Sequence, residues 1–256
     1  NDIGITVFGD DSPITLDAID TGGVSGVDGV TINPDVDGRL NDGTTPEPKL
    51  EINGGNGDDT LTGLGGNDTI TGGGGADSLT GGGTDDGDTF TIAAGDSSVT
   101  TSGSGDNGTI SGFDVITDFE MGDGSNNSET LDFDTVKVAA TATDVAGTTG
   151  SLTVGGETVT DHSIASSGEI TFRDGAASPN TITAGSESEL AAIGEYLQAT
   201  DIGDAGATAW FTGNSNTYVY NQGTATAGGD LVELTGKTAT SLDVTNATTD
   251  DLVFIA

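Results

Sequence analysis

The feature that most constrains this chain is a nine-residue repeat over residues 54–80. The units 54–62, 63–71 and 72–80 read GGNGDDTLT, GLGGNDTIT and GGGGADSLT, and a fourth unit from Gly81 starts as GGGTDD and decays into GDTFTI. Each unit has a glycine-rich half, an Asp at its sixth place and an apolar residue at its eighth. Glycine permits tight turns, and the residues around the apolar position suffice for a short β-strand. A flexible linker is the alternative, but a linker has no reason to keep a period.

The charge of the chain favours cations as partners. Only 5 Lys+Arg stand against 42 Asp+Glu, which gives a net charge of −37. A field of this sign repels nucleic acid and phosphorylated membrane surfaces. The acid is mostly Asp, whose short side chain favours turns and metal loops. The chain has no Cys, so a metal replaces the disulfide as the expected stabilising link. No apolar stretch approaches the roughly 20 residues of a membrane span.

The units resemble the RTX calcium-binding repeats, whose pattern G-G-x-G-x-D-x-U-x they match closely. The resemblance implies a mostly all-β fold, in which a parallel β-roll with two units per turn is flanked by further β structure. It also implies several Ca²⁺ ions between consecutive turns. Calcium takes about six to eight oxygen ligands and mixes carboxylates with backbone carbonyls.

The resemblance assigns ligands to two ions. One ion would take carbonyls at Gly55, Gly57, Gly72 and Gly74 with the carboxylates of Asp59 and Asp77. A second would use Leu64, Gly66 and Asp68 with Gly81, Gly83 and Asp86. The register beyond residue 83 has two interpretations, because Asp88-Thr89-Phe90 also fits the Asp-x-apolar triplet after a two-residue insertion.

Two further segments offer candidate ligands. Residues 113–133 look like the D-x-I-x-D-F…G-x-D…L-D-L segment that closes the roll in secreted RTX metalloproteases, and they add Asp118, Asp123 and Asp132 as candidates. The alternative for each is an Asp that bonds its own turn. A separate pattern, Asn33-x-Asp35-x-Asp37-Gly38, matches the start of a calcium loop, but Thr44 stands where the bidentate Glu belongs. A polar turn is the alternative there.

The C-terminal half predicts short hairpin strands and one helix. Ser186 and Glu189 form a capping box, and Leu190, Ile193 and Leu197 share one face, so we expect a helix over 187–199. The order of helix, W-F, N-T-Y-V-Y and D-L-V-E-L-T-G is similar to the C-terminal part of surface-layer proteins and other RTX exoproteins. The end, 250–256, resembles an uncleaved type I secretion signal, and a final β-strand is compatible with it.

We expect three parts in the sequence. Residues 1–50 form an N-terminal β segment, with the end of a preceding module as the alternative. Residues 51–135 form the calcium-binding roll with its closing segment, and residues 136–256 form a β-rich region with one helix and the secretion signal. Strand-like pieces at 3–8, 14–19 and 30–32 precede a Pro-containing link at 44–48.

Catalysis finds little support, so we expect no enzyme. The single His162 cannot supply a zinc-protease pair, and we expect it in a surface turn. The resemblance favours a calcium-binding structural module of a secreted bacterial surface-layer protein, located outside the cell, with self-association in a surface array and the type I secretion machinery as partners. The alternative is the C-terminal folding and secretion module of an RTX adhesin or an exported hydrolase.

Overall fold

The computed structural model describes residues 14–16, 50–83, 87–102, 108–122, 128–133, 135–146, 152–154, 157–173, 181–200, 202–223, 228–247 and 250–255. The strands of this part are β1 (Ile14–Leu16), β2 (Leu50–Asn56), β3 (Thr60–Leu64), β4 (Thr69–Gly74), β5 (Ser78–Gly82), β6 (Thr89–Ile92), β7 (Thr100–Ser102), β8 (Thr109–Ser111), β9 (Asp114–Ile116), β10 (Thr130–Phe133), β11 (Lys137–Val138), β12 (Ala142–Ala146), β13 (Leu152–Val154), β14 (Glu157–Val159), β15 (Asp161–Ile164), β16 (Ile170–Arg173), β17 (Thr181–Ile182), β18 (Ala207–Gly213), β19 (Asn216–Gln222), β20 (Asp230–Leu234), β21 (Leu242–Ala247) and β22 (Asp250–Ile255). One helix, α1 (Glu187–Ala199), has the predicted bounds.

The repeats form the centre of two sheets. The first sheet has the strand order β1-β2-β4-β6-β10-β22-β21, and the second has β11-β18-β19-β20-β9-β5-β3. Successive repeats alternate between the sheets, and strands two repeats apart pair in parallel. This is the arrangement of a roll with two units per turn. The mostly all-β fold with a parallel roll and one short helix is therefore confirmed.

The apolar positions of the repeats stack in two rows inside the roll. On the first sheet Ile70 aligns with Phe90, and Phe90 aligns with Leu131. On the second sheet Leu61 aligns with Leu79, and Leu79 aligns with Ile116. All of these side chains are fully buried and belong to one core cluster. Each repeat gains its apolar neighbours only from the next turn, so stability depends on stacking.

C-terminal strands complete both sheets. Strand β22 pairs antiparallel with β10, and β20 pairs parallel with β9. The sheets therefore continue across residues 135 and 136, where the sequence analysis divides the chain. Trp210 and Val219 pack into the roll core, whereas Phe211 and Tyr218 pack into a second core. Strands β18 and β19 are consequently buried on both faces.

The second core lies between α1 and the C-terminal strands. The buried side of α1 includes Leu190, Ile193 and Leu197, as the spacing predicts. The Ser186 hydroxyl accepts a hydrogen bond from the Glu189 N–H at 3.3 Å and caps the helix. No helix in the described part of the chain has the length and apolar character of a membrane span.

The expectation that His162 lies in a surface turn is wrong. His162 lies in β15, where alternate residues point inward, and only 1 % of it is exposed. Its Nδ1 is 2.9 Å from the Tyr196 hydroxyl oxygen. Burial lowers the pKa of His162 to about 4, because the charged imidazole would lose its hydration.

Most of the predicted N-terminal features lie outside the described residues, and strand β1 is the exception. Strand β1 pairs in parallel with β2 and so adds to the first sheet. The strand-like pieces at 3–8 and 30–32, the Pro-containing link at 44–48 and the candidate loop from Asn33 lie outside the described residues.

Candidate calcium-binding site

One row of aspartates runs along an edge of the roll at the start of the second-sheet strands. The row consists of Asp59, Asp77 and Asp114, which we call the Asp59 row. The Asp59 N–H donates to Oδ1 of Asp77 at 2.8 Å, and the Asp77 N–H donates to Oδ1 of Asp114 at 2.9 Å. The Asp114 N–H donates to the Ser97 hydroxyl at 2.7 Å, which ends the row. All three carboxylates are buried.

A second row, the Asp68 row, lies at the start of the first-sheet strands and contains Asp68 and Asp88. The Leu50 N–H donates to Oδ1 of Asp68, and the Asp68 N–H donates to Oδ1 of Asp88, both at 2.7 Å. Thr69 also aligns with Thr89. The two-residue insertion is therefore the correct register, and Asp88 takes the place in the row. Asp86 lies outside the described residues.

The second oxygen of the central carboxylates is buried without a hydrogen bond. This holds for Oδ2 of both Asp77 and Asp114. Desolvation by burial raises the pKa of Asp77 to about 7 and that of Asp114 to about 8. A buried carboxylate is costly unless a positive charge compensates it. The Asp59 row therefore has the electrostatics of a cation site.

Glycine brings the backbone of successive turns close to these carboxylates. A Cβ on Gly54 would lie 2.5 Å from the Gly72 carbonyl oxygen and 2.6 Å from Oδ2 of Asp59. A Cβ on Gly72 would clash with Oδ2 of Asp77. Because Gly54 and Gly72 have no side chain, the carbonyl and carboxylate oxygens can approach the backbone at these positions.

The predicted carbonyl ligands of the first ion lie in the two turns that the structure brings together. Gly55 aligns with Gly73 in the parallel pair. The Gly74 carbonyl accepts a hydrogen bond from the Gly57 N–H at 2.7 Å. The carbonyl oxygens of Gly55 and Gly57 lie against the Cα atoms of the facing turn. The Gly72 carbonyl faces Gly54 from the other side.

The turns assigned to the second ion also face each other in part. A Cβ on Gly63 would clash with both the Gly81 carbonyl oxygen and Oδ2 of Asp68. Gly66 follows β3 with a φ of 100°, and Gly83 follows β5 with a φ of 57°. Leu64 is the last residue of β3, and it aligns with Gly82 in β5.

This donor set fits calcium. It contains only oxygen atoms, and much of it is backbone carbonyl, which a hard cation with flexible geometry accepts. Among the described residues no group of three or more His, Cys, Asp or Glu side chains is arranged to hold a metal. Asp59 and Asp77 would hold one ion, and Asp68 and Asp88 another. The bound ion would neutralise the buried carboxylates and link adjacent turns.

Two of the predicted ligands in the closing segment, Asp118 and Asp132, are described, and both lie outside the two rows. Asp118 accepts hydrogen bonds from the N–H groups of Gly81 and Gly82 at 3.0 and 2.9 Å, so it anchors the turn of the fourth repeat. Asp132 lies within β10 between two buried apolar residues, outside both rows. Asp123 lies outside the described residues.

Two buried acidic residues were not predicted as site residues: Asp114, which belongs to the Asp59 row, and Glu129, which lies beside the Asp68 row. Asp114 precedes the buried Ile116 by two places, which is the spacing of the repeats, and this was the available signal. Glu129 precedes Leu131 in the same way and is 1 % exposed. Its Oε2 accepts the Glu120 N–H at 2.7 Å, and its Oε1 lies near Gly81 beside Asp88.

The comparisons with known proteins agree with this geometry. The family model of the RTX calcium-binding nonapeptide repeat, in 4 copies, matches residues 53–87. No curated protein matches the chain. The matched residues hold Asp59, Asp68 and Asp77 together with the glycines that face them. Residues 53–87 are therefore RTX calcium-binding nonapeptide repeats, which form a calcium-binding structural module within the β-roll.

Proposed function

We propose that the chain is a calcium-binding structural module of a secreted bacterial surface-layer protein, which folds and assembles on extracellular calcium and carries out no catalysis. The observation that supports it is the pair of carboxylate rows buried in the roll. Without a cation, folding has to bury these anions and bring together turns that repel each other. Calcium removes both costs.

The net charge of −37 extends this reasoning to the whole chain. At the low calcium of a cytoplasm, self-repulsion opposes the compact state and favours an export-ready chain. Outside the cell, an ion that binds only the folded roll adds about 2.7 kcal/mol per site at 100 times its Kd. RTX-repeat proteins are typically secreted, in line with this sequence of events. In an array, the same ion would also screen repulsion between neighbouring subunits.

The test is a calcium titration of chelated protein, followed by circular dichroism, sedimentation and electron microscopy. We expect a cooperative transition to β structure, followed by ordered two-dimensional arrays. The double variant Asp59→Ala and Asp77→Ala should lose the transition. The exposed Asp204→Ala is the matched control and should keep it.

Two outcomes would overturn parts of the proposal. A chain that is fully folded in chelator would refute calcium-driven folding and leave calcium as local reinforcement. A calcium-folded chain that stays monomeric at high calcium would refute the surface-layer role. That result would favour the folding and secretion module of an RTX adhesin or an exported hydrolase.

A further inference from the structure

The Asp59 row continues beyond the recognised repeats with unchanged geometry. At the step from Asp59 to Asp77, the Ser78 N–H donates to the Asp59 carbonyl at 2.8 Å. At the step from Asp77 to Asp114, the Val115 N–H donates to the Asp77 carbonyl at the same distance. The carboxylate hydrogen bonds of the two steps are also alike, at 2.8 and 2.9 Å. Asp114 therefore occupies the position of a repeat aspartate although it lies outside residues 53–87.

The backbone around this second step differs from that of a repeat. Residues 94–97 form a turn that lies against the third repeat, and the Gly75 N–H donates to the Asp96 carbonyl at 3.3 Å. A cleft of about 370 Å³ opens here. Gly75 and Ala76 line it directly before Asp77, and residues 111–112 line it shortly before Asp114. The cleft thus lies between the two turns that lead into the aspartates.

The charge at this step is entirely negative. Oδ2 of Asp77 and Oδ2 of Asp114 are buried without a hydrogen-bond partner, and the two residues are 1 % and 0 % exposed. Asp58 and Asp96 line the cleft, and no basic residue is among its lining residues. Each Oδ1 is fixed by a backbone N–H, so the carboxylates cannot turn away to relieve the repulsion.

We propose that the step between Asp77 and Asp114 is a further calcium site, in which both carboxylates act with backbone carbonyls of the turns that line the cleft. Asp77 then serves two ions, one on each side of it along the row. The inference shares with the proposed function only calcium binding by the repeats, and it does not depend on a surface array.

The site would reinforce the joint between the roll and the C-terminal strands. The Ser97 hydroxyl accepts the Asp114 N–H and donates to the Leu231 carbonyl at 2.6 Å. The Leu231 N–H donates to the Ser97 carbonyl at 3.0 Å. Fixing Asp114 with an ion therefore also fixes the start of β20, which continues the second sheet.

The test counts bound calcium by native mass spectrometry on the full chain, with four single variants. Asn keeps the shape and the acceptor oxygen of Asp but removes the charge. We expect Asp59→Asn and Asp114→Asn each to bind one ion fewer than wild type, and Asp77→Asn to bind two fewer. Asp161→Asn is the matched control, because Asp161 also has a buried oxygen without a hydrogen bond but lies in β15, away from the cleft. It should bind the wild-type number.

An unchanged ion count in Asp114→Asn, together with a loss in Asp59→Asn, would overturn this inference and leave calcium binding by the repeats intact. An unchanged count in all variants would instead refute the repeat sites. If Asp114→Asn does not fold, the anomalous signal of calcium in crystals of the wild-type protein decides the question. A peak between Asp77 and Asp114 supports the site, and a peak at the Asp59 step alone overturns it.

Discussion

Leu79 lies in the middle of the apolar row on the second sheet, aligned with Leu61 on one side and with Ile116 on the other. Its side chain is 0 % exposed. Replacing such a leucine by Ala removes buried area and leaves a cavity, and we expect Leu79→Ala to lower the free energy of unfolding by about 3 kcal/mol. Because calcium binds the folded roll, more calcium is needed to recover this loss.

The size of the calcium shift depends on the number of ions taken up in folding. With two ions, a loss of about 3 kcal/mol raises the calcium concentration at the folding midpoint roughly tenfold, and with three ions roughly fivefold. The assay is a calcium titration of wild type and variant, followed by far-ultraviolet circular dichroism. Val138→Ala is the control, since Val138 is 36 % exposed and should shift the midpoint little.

A shift of less than about twofold in Leu79→Ala would refute the reasoning, because it would mean that stacking of the turns is not linked to calcium binding. A shift of equal size in Val138→Ala would also refute it. In that case the effect would be general and independent of the row.

Three further predictions concern single residues. At saturating calcium, the free energy of unfolding should fall by up to about 3 kcal/mol as the pH drops from 6.5 to 4, because only the unfolded state protonates His162 in this range. In urea titrations across this pH range, His162→Gln should lack this contribution to the pH dependence. Gly72→Ala should weaken calcium binding measured by calorimetry, because its Cβ would clash with Oδ2 of Asp77. Gly223→Ala is the control and should not weaken it, because its Cβ would make an ordinary contact of 3.5 Å with the Ala94 Cβ. Equal affinities of the two variants would contradict the close approach at Gly72. Ser186→Ala should lower the free energy of unfolding, measured by urea titration, by about 1 kcal/mol because the helix loses its N-cap. A change near zero would contradict the role of the cap.

Features encoded within a short stretch were predictable. The period of nine placed the aspartates and apolar residues in register, and the structure aligns Leu61 with Leu79 and Ile70 with Phe90 accordingly. The helix was predicted because its cap and its apolar face are both local signals. The assignment of particular carbonyls as calcium ligands stays a prediction.

Features that depend on distant pairing were not predictable to the same extent. The choice between Asp86 and Asp88 required the alignment of β6 with β4. Asp114 joins the Asp59 row only because β9 pairs with β5 across 37 residues. His162 is buried with its Nδ1 against the hydroxyl of Tyr196 in α1, and these two residues are 34 positions apart in the sequence.

The sequence by itself determined the repeat, its chemistry and the class of fold, because glycine, aspartate and a branched residue at fixed spacing restrict the backbone locally and supply oxygen ligands. Only the tertiary structure decided where the rows end and what joins them. The Asp59 row ends at Ser97, whose hydroxyl connects Asp114 to Leu231. The physical reason is that hydrogen bonds between distant strands depend on how the whole chain packs, which no local spacing specifies.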